Sequence, residues 1–256
     1  MRRDDLICFY TIARRETTRI FRIWVQTLVP PVITMTLYFI IFGSFIGSQL
    51  DDIKGYNYMA FIAPGLIMMS IITNSYTNTV SSFFSTKFQR NIEELLVSPA
   101  PDWVIILGYI SGGVVRGLSV GFLVSLVSLF FVRLPLFSIA YTVLFAFLTS
   151  VVFALAGMIN GIFAKKFDDI SIIPTFVITP LTYLGGVFYS ISLLPAFWQT
   201  VSKANPIIYM IDGFRYGFLG ASDISVVAGL GMLVLFAVVL FAVNLYLLKK
   251  GIGTRT

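Results

Sequence analysis

Residues 226–248 read VVAGLGMLVLFAVVLFAVNLYLL, an unbroken run with no charged side chain. At 1.5 Å per residue, a helix of that length crosses the roughly 30 Å of hydrocarbon in a bilayer. A barrel strand would be about ten residues long and would alternate apolar with polar side chains, and this run does neither. Lipid offers no hydrogen-bond partner to a backbone amide or carbonyl, so such a run satisfies its own backbone by becoming a helix.

Outward from it, runs of the same kind lie near 25–47, 58–82, 103–132, 136–163 and 171–190. Six transmembrane helices are therefore expected, in an all-α polytopic membrane protein. The composition agrees: 57% hydrophobic residues against 12% charged, with a mean hydropathy of +0.91, belongs to a chain whose main solvent is lipid. Arg133, Leu134 and Pro135 alone separate the third and fourth runs, which predicts a tight turn there. Pro174 and Pro180 predict a bend in the fifth.

The basic residues set the orientation. With both termini in the cytoplasm, the inner segments carry Arg2, Arg3, Arg14, Arg15, Arg19, Arg22, Lys87, Arg90, Lys165, Lys166, Lys249, Lys250 and Arg255. The outer segments then carry only Lys54, Arg133, Lys203 and Arg215. Lysine and arginine concentrate on cytoplasmic loops, so this asymmetry places both ends inside. The net charge of +6 sits in short clusters beside apolar runs, which suits anionic headgroups rather than nucleic acid, and no nucleic-acid partner is expected. Cys8 is the lone cysteine and histidine is absent, so neither an internal disulfide nor a metal site is expected. Arg2, Arg3, Asp4 and Asp5 do not open a removable signal peptide.

The polar segments carry the chemistry. Residues 1–24 read as an N-terminal amphipathic helix, with Leu6, Phe9, Tyr10, Ala13, Ile20, Phe21 and Trp24 on one side and four arginines on the rest. It is expected to lie on the inner leaflet, the alternative being a solvated basic leader. Residues 86–102, TKFQRNIEELLVSPAPD, put Phe88, Ile92, Leu95 and Leu96 at helical spacing, before Pro99 and Pro101 end the helix. The acidic pair Glu93 and Glu94 suits a protein partner better than anionic lipid. In the second run, Ser70, Asn74, Asn78, Ser81 and Ser85 form a polar stripe that either bonds a neighbouring helix or lines a substrate route.

Arg116, in GGVVRGL, would cost roughly 2.5 to 3.5 kcal/mol at a helix centre. No run carries an acidic residue to neutralise it, so it is expected to snorkel, face water, or meet an anionic headgroup or substrate phosphate. Residues 190–225 are rich in aromatics and interrupted by Pro195, Pro206 and Gly213, which predicts short outer helices. Phe197, Trp198, Tyr209, Phe214 and Tyr216 are candidates for an interfacial belt.

Five stretches carry a resemblance: RIWVQTLVPPVITMTLYFIIFG (22–43), FQRNIEELL (88–96), FAKKFDDIS (163–171), PTFVITPLTYLGGVFYS (174–190) and GFRYGFLG (213–220). Over nearly its whole length the chain resembles the type-two ABC exporter permeases. The resemblance implies a type-two ABC transmembrane domain over 25–250. It also implies a coupling helix that docks into an ATPase, carried by Phe88, Gln89, Arg90, Asn91, Ile92, Glu93, Glu94, Leu95 and Leu96. An extracellular hairpin over the exit, a permease homodimer with two ATPase copies, and the bacterial inner membrane follow from the same source. For Phe197, Trp198, Tyr209, Phe214 and Tyr216 the resemblance implies the alternative that they line a pathway. ATP and Mg would sit on the partner ATPase, and no cofactor is expected on this chain.

Independently, the sequence has no Gly-Lys dipeptide and so lacks the phosphate loop G-x-x-x-x-G-K-[ST]. The chain is expected to be a transport subunit rather than an enzyme, exporting an amphiphilic, lipid-linked or glycan substrate. An ion-coupled transporter or channel, the alternative, would be expected to carry carboxylates or histidines in its spans. A membrane-embedded enzyme would have only Asp168 and Asp169 as a candidate pair, and these more simply solvate a turn.

Overall fold

The computed structural model describes residues 3–49, 52, 53 and 55–253. The helices among them are α1 (Arg3–Arg22), α2 (Trp24–Thr27), α3 (Val29–Tyr38), α4 (Tyr58–Phe88), α5 (Asn91–Val97), α6 (Asp102–Ser128) and α7 (Ile139–Phe163). They continue with α8 (Asp169–Ile173), α9 (Thr179–Tyr183), α10 (Ala196–Lys203), α11 (Pro206–Leu219) and α12 (Val226–Lys250). Arg2, Lys54 and Arg255 of the charge pattern lie outside the described residues.

Among the described residues, five helical stretches are long and apolar enough to cross a membrane: Trp24–Gly43, Tyr58–Phe88, Asp102–Ser128, Ile139–Phe163 and Val226–Lys250. Each overlaps one of the expected runs. The first joins α2, α3 and the start of a wider π-helical segment, Phe39–Ile46. The run at 171–190 behaves differently. There α8, a π-helical segment Pro174–Ile178 and α9 form one rod that ends at Tyr183. Fifteen helical residues reach about 22 Å, short of the full hydrocarbon thickness. Pro174 and Pro180 each remove a backbone donor here, the stretch between them is π-helical, and Gly186 at φ 75 then turns the chain.

The connection between α6 and α7 also departs from expectation. Instead of a turn over 133–135, residues 129–138 form an extended linker, and Pro135 does not start α7. Its backbone is used elsewhere: the amides of Phe137 and Ser138 donate to the carbonyls of Phe218 and Gly217 at 3.1 and 2.8 Å, which ties the linker to α11.

α4 is the axis of the bundle. Almost all of it from Tyr58 to Phe84 is buried, enclosed by α6, α7 and α11. Lipid tails are as apolar as leucine, so helices associate in a membrane through close packing rather than through the hydrophobic effect. α6 provides that closeness with two glycine rows. A Cβ at Gly117 would stand 1.8 Å from Ser75 Oγ of α4, and one at Gly121 would stand 2.5 Å from Ile71. On the adjoining face, a Cβ at Gly108 would meet Ile12 of α1 at 2.6 Å, and one at Gly112 would meet Glu16 at 2.8 Å.

The pairs Gly108 with Ile12 and Gly112 with Glu16 advance by four residues together, so α1 runs alongside α6 in the same direction. α1 therefore buries Ile12, Glu16 and Ile20. Leu6, Tyr10, Phe21 and Trp24, from the side read as apolar, stay exposed. The glycine face of α6 takes the side that combines isoleucines with a paired carboxylate, leaving the more aromatic side for the surroundings. α12 closes the outside: Asn244 donates to the Leu155 carbonyl of α7 at 3.1 Å, while Val227, Leu235, Val238 and Tyr246 face outward.

Candidate functional site

Three places gather the functional side chains. At the end of the bundle where α4 meets α5, α4 continues through Phe88, so that residue closes α4 rather than opening the loop helix. Gln89 and Arg90 then turn the chain, and Arg90 takes a left-handed φ of 60, which breaks the helix before α5 starts at Asn91. Within α5, Ile92 is 1% exposed and anchors the helix to the bundle, whereas Asn91, Glu93 and Glu94 face solvent and Leu95 is half-buried. The side chain of Leu96 lies outside the described residues.

Beside α5 stands an aromatic trio. Phe167, from the FAKKFDDIS turn, meets Phe84 and Phe88 edge-on, each at 5.0 Å between centroids. Phe88 remains 60% exposed and Phe167 52%. A groove of about 620 Å³ opens here, lined by Phe84, Lys87, Phe88, Arg90, Phe163 and Lys165 among others. Lys87 fixes its floor: Nζ donates to the carbonyls of Ile162 and Ala164 at 2.6 and 2.9 Å, locking the end of α4 to the end of α7. The neighbouring turn is held by Asp169, whose Oδ2 accepts from the amides of Lys165 and Lys166 at 2.9 and 3.0 Å. Those two bonds hold its carboxyl below the usual value. Asp168 is exposed, and its side chain makes no such bond among the described residues.

The second place is a buried polar knot between α1, α4 and α6. Glu16, 1% exposed, accepts from Arg19 at 2.9 Å, from Arg15 at 3.3 Å and from Ser82 at 2.6 Å. Arg19 also donates to Asn78 Oδ1 at 3.1 Å, and Arg15 to the Tyr109 hydroxyl at 2.9 Å. Asn78 thus works in helix packing, and Asn74 bonds back to the Ser70 carbonyl of its own helix at 2.9 Å. Arg116 stands within electrostatic reach of Arg19. Its Nε is buried with no partner among the described residues.

The third place is the outer end. Arg215, 3% exposed, donates from Nε to the Phe61 carbonyl at 3.2 Å and from a terminal nitrogen to the Gly186 carbonyl at 2.6 Å. Its guanidinium lies 3.9 Å from the Phe61 ring centroid and 3.8 Å from Asp212 Oδ1. Asp212 in turn accepts from the amides of Asp223 and Ile224. Of the outer aromatics, Phe214 is a core residue, 2% exposed and edge-on to Phe218. Tyr216 packs against Phe137 and Tyr141, and the Tyr209 hydroxyl donates to the Lys203 carbonyl. Phe197 and Trp198 stay open to the surroundings, edge-on to each other at 5.4 Å.

Residues 8–219 match the model of the ABC-2 type transporter family. The chain belongs to that family. It is 60% identical over 250 residues to the inner membrane transport permease YadH of Escherichia coli K12, covering 98% of both chains. It is 26% identical over 215 residues to nodulation protein J of Rhizobium leguminosarum bv. viciae, covering 84% of this chain and 83% of that one.

The ABC-2 match takes in the polar knot, the loop helix and the outer network up to Leu219, the last residue of α11. Sequence reasoning had not singled out Glu16, Asp212 or Arg215. A signal existed for Glu16, which sits midway between Ile12 and Ile20 at four-residue steps and so shares their buried face.

Proposed function

We propose that this chain is the membrane-spanning permease subunit of an ATP-driven exporter in the bacterial inner membrane, with both termini cytoplasmic. Membrane chains of the ABC-2 type pair with an ABC ATPase, and the reading gives that ATPase its seat on α5 and the aromatic groove beside it. The observation that carries it is the exposure of Phe88, Phe163 and Phe167 together at the ends of α4 and α7, with the charged Arg90 in the same groove and Glu93 and Glu94 exposed on α5. An apolar patch rimmed by charge on the water side of a protein is a contact surface. Force applied there passes into α4, the buried axis, and through Lys87 into α7.

Two permease copies and two ATPase copies complete the assembly, with ATP and Mg held by the ATPase. The cargo is an amphiphilic, lipid-linked or glycan molecule. The N-terminal amphipathic helix packs along α6 and turns its exposed apolar side toward inner-leaflet lipid.

The test places a photo-crosslinking amino acid at Asn91 or Glu94 in living cells, with a control at Leu193 on the outer side. The expected product is an adduct between the inner positions and a polypeptide whose peptides contain a phosphate loop, absent from the Leu193 control. The purified chain alone should show no ATP turnover. Adducts with lipid only, or vanadate-sensitive hydrolysis by the isolated chain, would overturn the reading.

A further inference from the structure

The arginines around Glu16 are not balanced by it. Arg15 and Arg19 share the single Glu16 carboxylate, Arg116 stands within electrostatic reach of Arg19, and Arg14 and Arg22 lie alongside on α1. Three buried donors there have no acceptor among the described residues: Arg19 Nε, Arg116 Nε and Asn78 Nδ2. A buried donor without an acceptor is costly, and two guanidinium groups within reach of each other repel. An anion between them would answer both problems.

Two grooves follow one another along the chain here. One, of about 510 Å³, runs along α1 and is lined by Tyr10, Arg14, Arg15, Arg19 and Arg22 and closed by Ile23. The next begins at Trp24 and is wholly apolar: about 380 Å³ between Leu28, Val29, Val32 and Ile33 on one side and Leu123 of α6 on the other. Arg116 lies seven residues, two helical turns, before Leu123 and so shares its face of α6, and it stands within electrostatic reach of Arg19 in the basic groove. The sequence order of the two linings, basic then apolar, is the order of headgroup and tail in a membrane lipid whose head faces the cytoplasm.

We infer that the junction of α1, α3 and α6 binds one anionic phospholipid of the inner leaflet, its phosphate between Arg19 and Arg116 and one acyl chain along Leu28, Val32 and Leu123. The arginines take the phosphate oxygens as planar donors, and a zwitterionic headgroup competes poorly because it brings its own cation. The site is independent of whether an ATPase docks at α5.

Trp24 lines the apolar half and reports on the tail. In full-length protein carrying Trp103→Phe and Trp198→Phe, reconstituted in vesicles, brominated phosphatidylglycerol at low mole fraction should quench Trp24 about fivefold more effectively than brominated phosphatidylcholine with the same chains. Arg116→Gln should bring that ratio to one. Leu123→Phe, which fills the tail groove, should weaken quenching by both lipids and leave the ratio in place. Equal quenching by the two lipids in the parent, or a ratio unchanged by Arg116→Gln, would overturn the inference. So would a preference abolished by millimolar inorganic phosphate at constant ionic strength, which would assign the arginines to a soluble anion.

Discussion

The two ends of this bundle are built on opposite terms. At the outer end the polar groups are turned inward and paired: Arg215 spends its donors on Phe61 and Gly186 and leans on Asp212, and Asp223 accepts from Ser190 at 2.8 and 2.9 Å. At the inner end the apolar groups are turned outward and unfinished, with Phe88 and Phe163 exposed in the lining of a groove and Phe167 exposed against Phe88. A buried, satisfied network commits its surroundings to one arrangement. An exposed apolar patch commits its surroundings to a second molecule. The outer end is thereby complete within one chain, and under the proposed function the inner end is completed by contact.

The comparison breaks most visibly at Arg215. Arg215→Leu removes the guanidinium and leaves Asp212 without its cation and two carbonyls without donors. Breaking one side of a buried pair costs about 3 kcal/mol or more. A marked fall in the thermal unfolding midpoint of the detergent-solubilised protein is expected, with loss of the contact between α11 and the start of α4. A midpoint equal to that of the parent would mean that the outer network is decoration.

The inner end should respond in the reverse sense. Phe88→Ala removes a ring that is mostly in solvent, so the unfolding midpoint should move by the equivalent of about 0.5 kcal/mol or less, as surface changes do. Capture of the ATPase on affinity beads should fall sharply in the same variant. Should Phe88→Ala instead unfold the protein while leaving capture intact in the surviving fraction, the aromatic trio would belong to the core and the contrast between the ends would vanish.

Most of this plan could be read from the residues, and the gaps have physical causes. Long apolar runs such as 226–248 announce themselves because length and continuity are properties of the sequence alone. The rod at 169–183 was harder, since Pro174 and Pro180 signal a bend but not where the helix stops short. Phe88, Ile92 and Leu95 share a helical spacing, which by itself makes Phe88 the first residue of a loop helix. A left-handed Arg90, which no propensity favours, interrupts that spacing and gives Phe88 to α4. Phe214 and Tyr216 looked like pathway candidates by resemblance, but burial depends on which helix lies opposite, and only the packing of α11 on α7 decides it. Arg215 was counted as an outer-loop charge for the same reason: nothing local says that a guanidinium will find two carbonyls and a ring from elsewhere in the chain.

The smallest expected effect compares two aspartates, one at each end. Asp212 is buried and supports the fold through Arg215 and two amides, whereas Asp169 is half-buried and holds only its own turn through the amides of Lys165 and Lys166. Because those amides favour the charged form, the Asp169 carboxyl titrates below its ordinary value of 3.8. A depressed carboxylate pKa means that the group's contribution is fully present above about that value and is lost as pH falls through the lowered one. Hydrogen exchange at the Lys165 and Lys166 amides, corrected for intrinsic rates, should therefore stay slow from neutral pH down to the ordinary carboxylate range and speed up only below it. In Asp169→Asn the amide oxygen still accepts but does not titrate, so the pH dependence should disappear while the unfolding midpoint barely moves. An unchanged pH profile in that variant would place the acid sensitivity elsewhere and remove the last difference claimed between a carboxylate that shapes a loop and one that holds a bundle together.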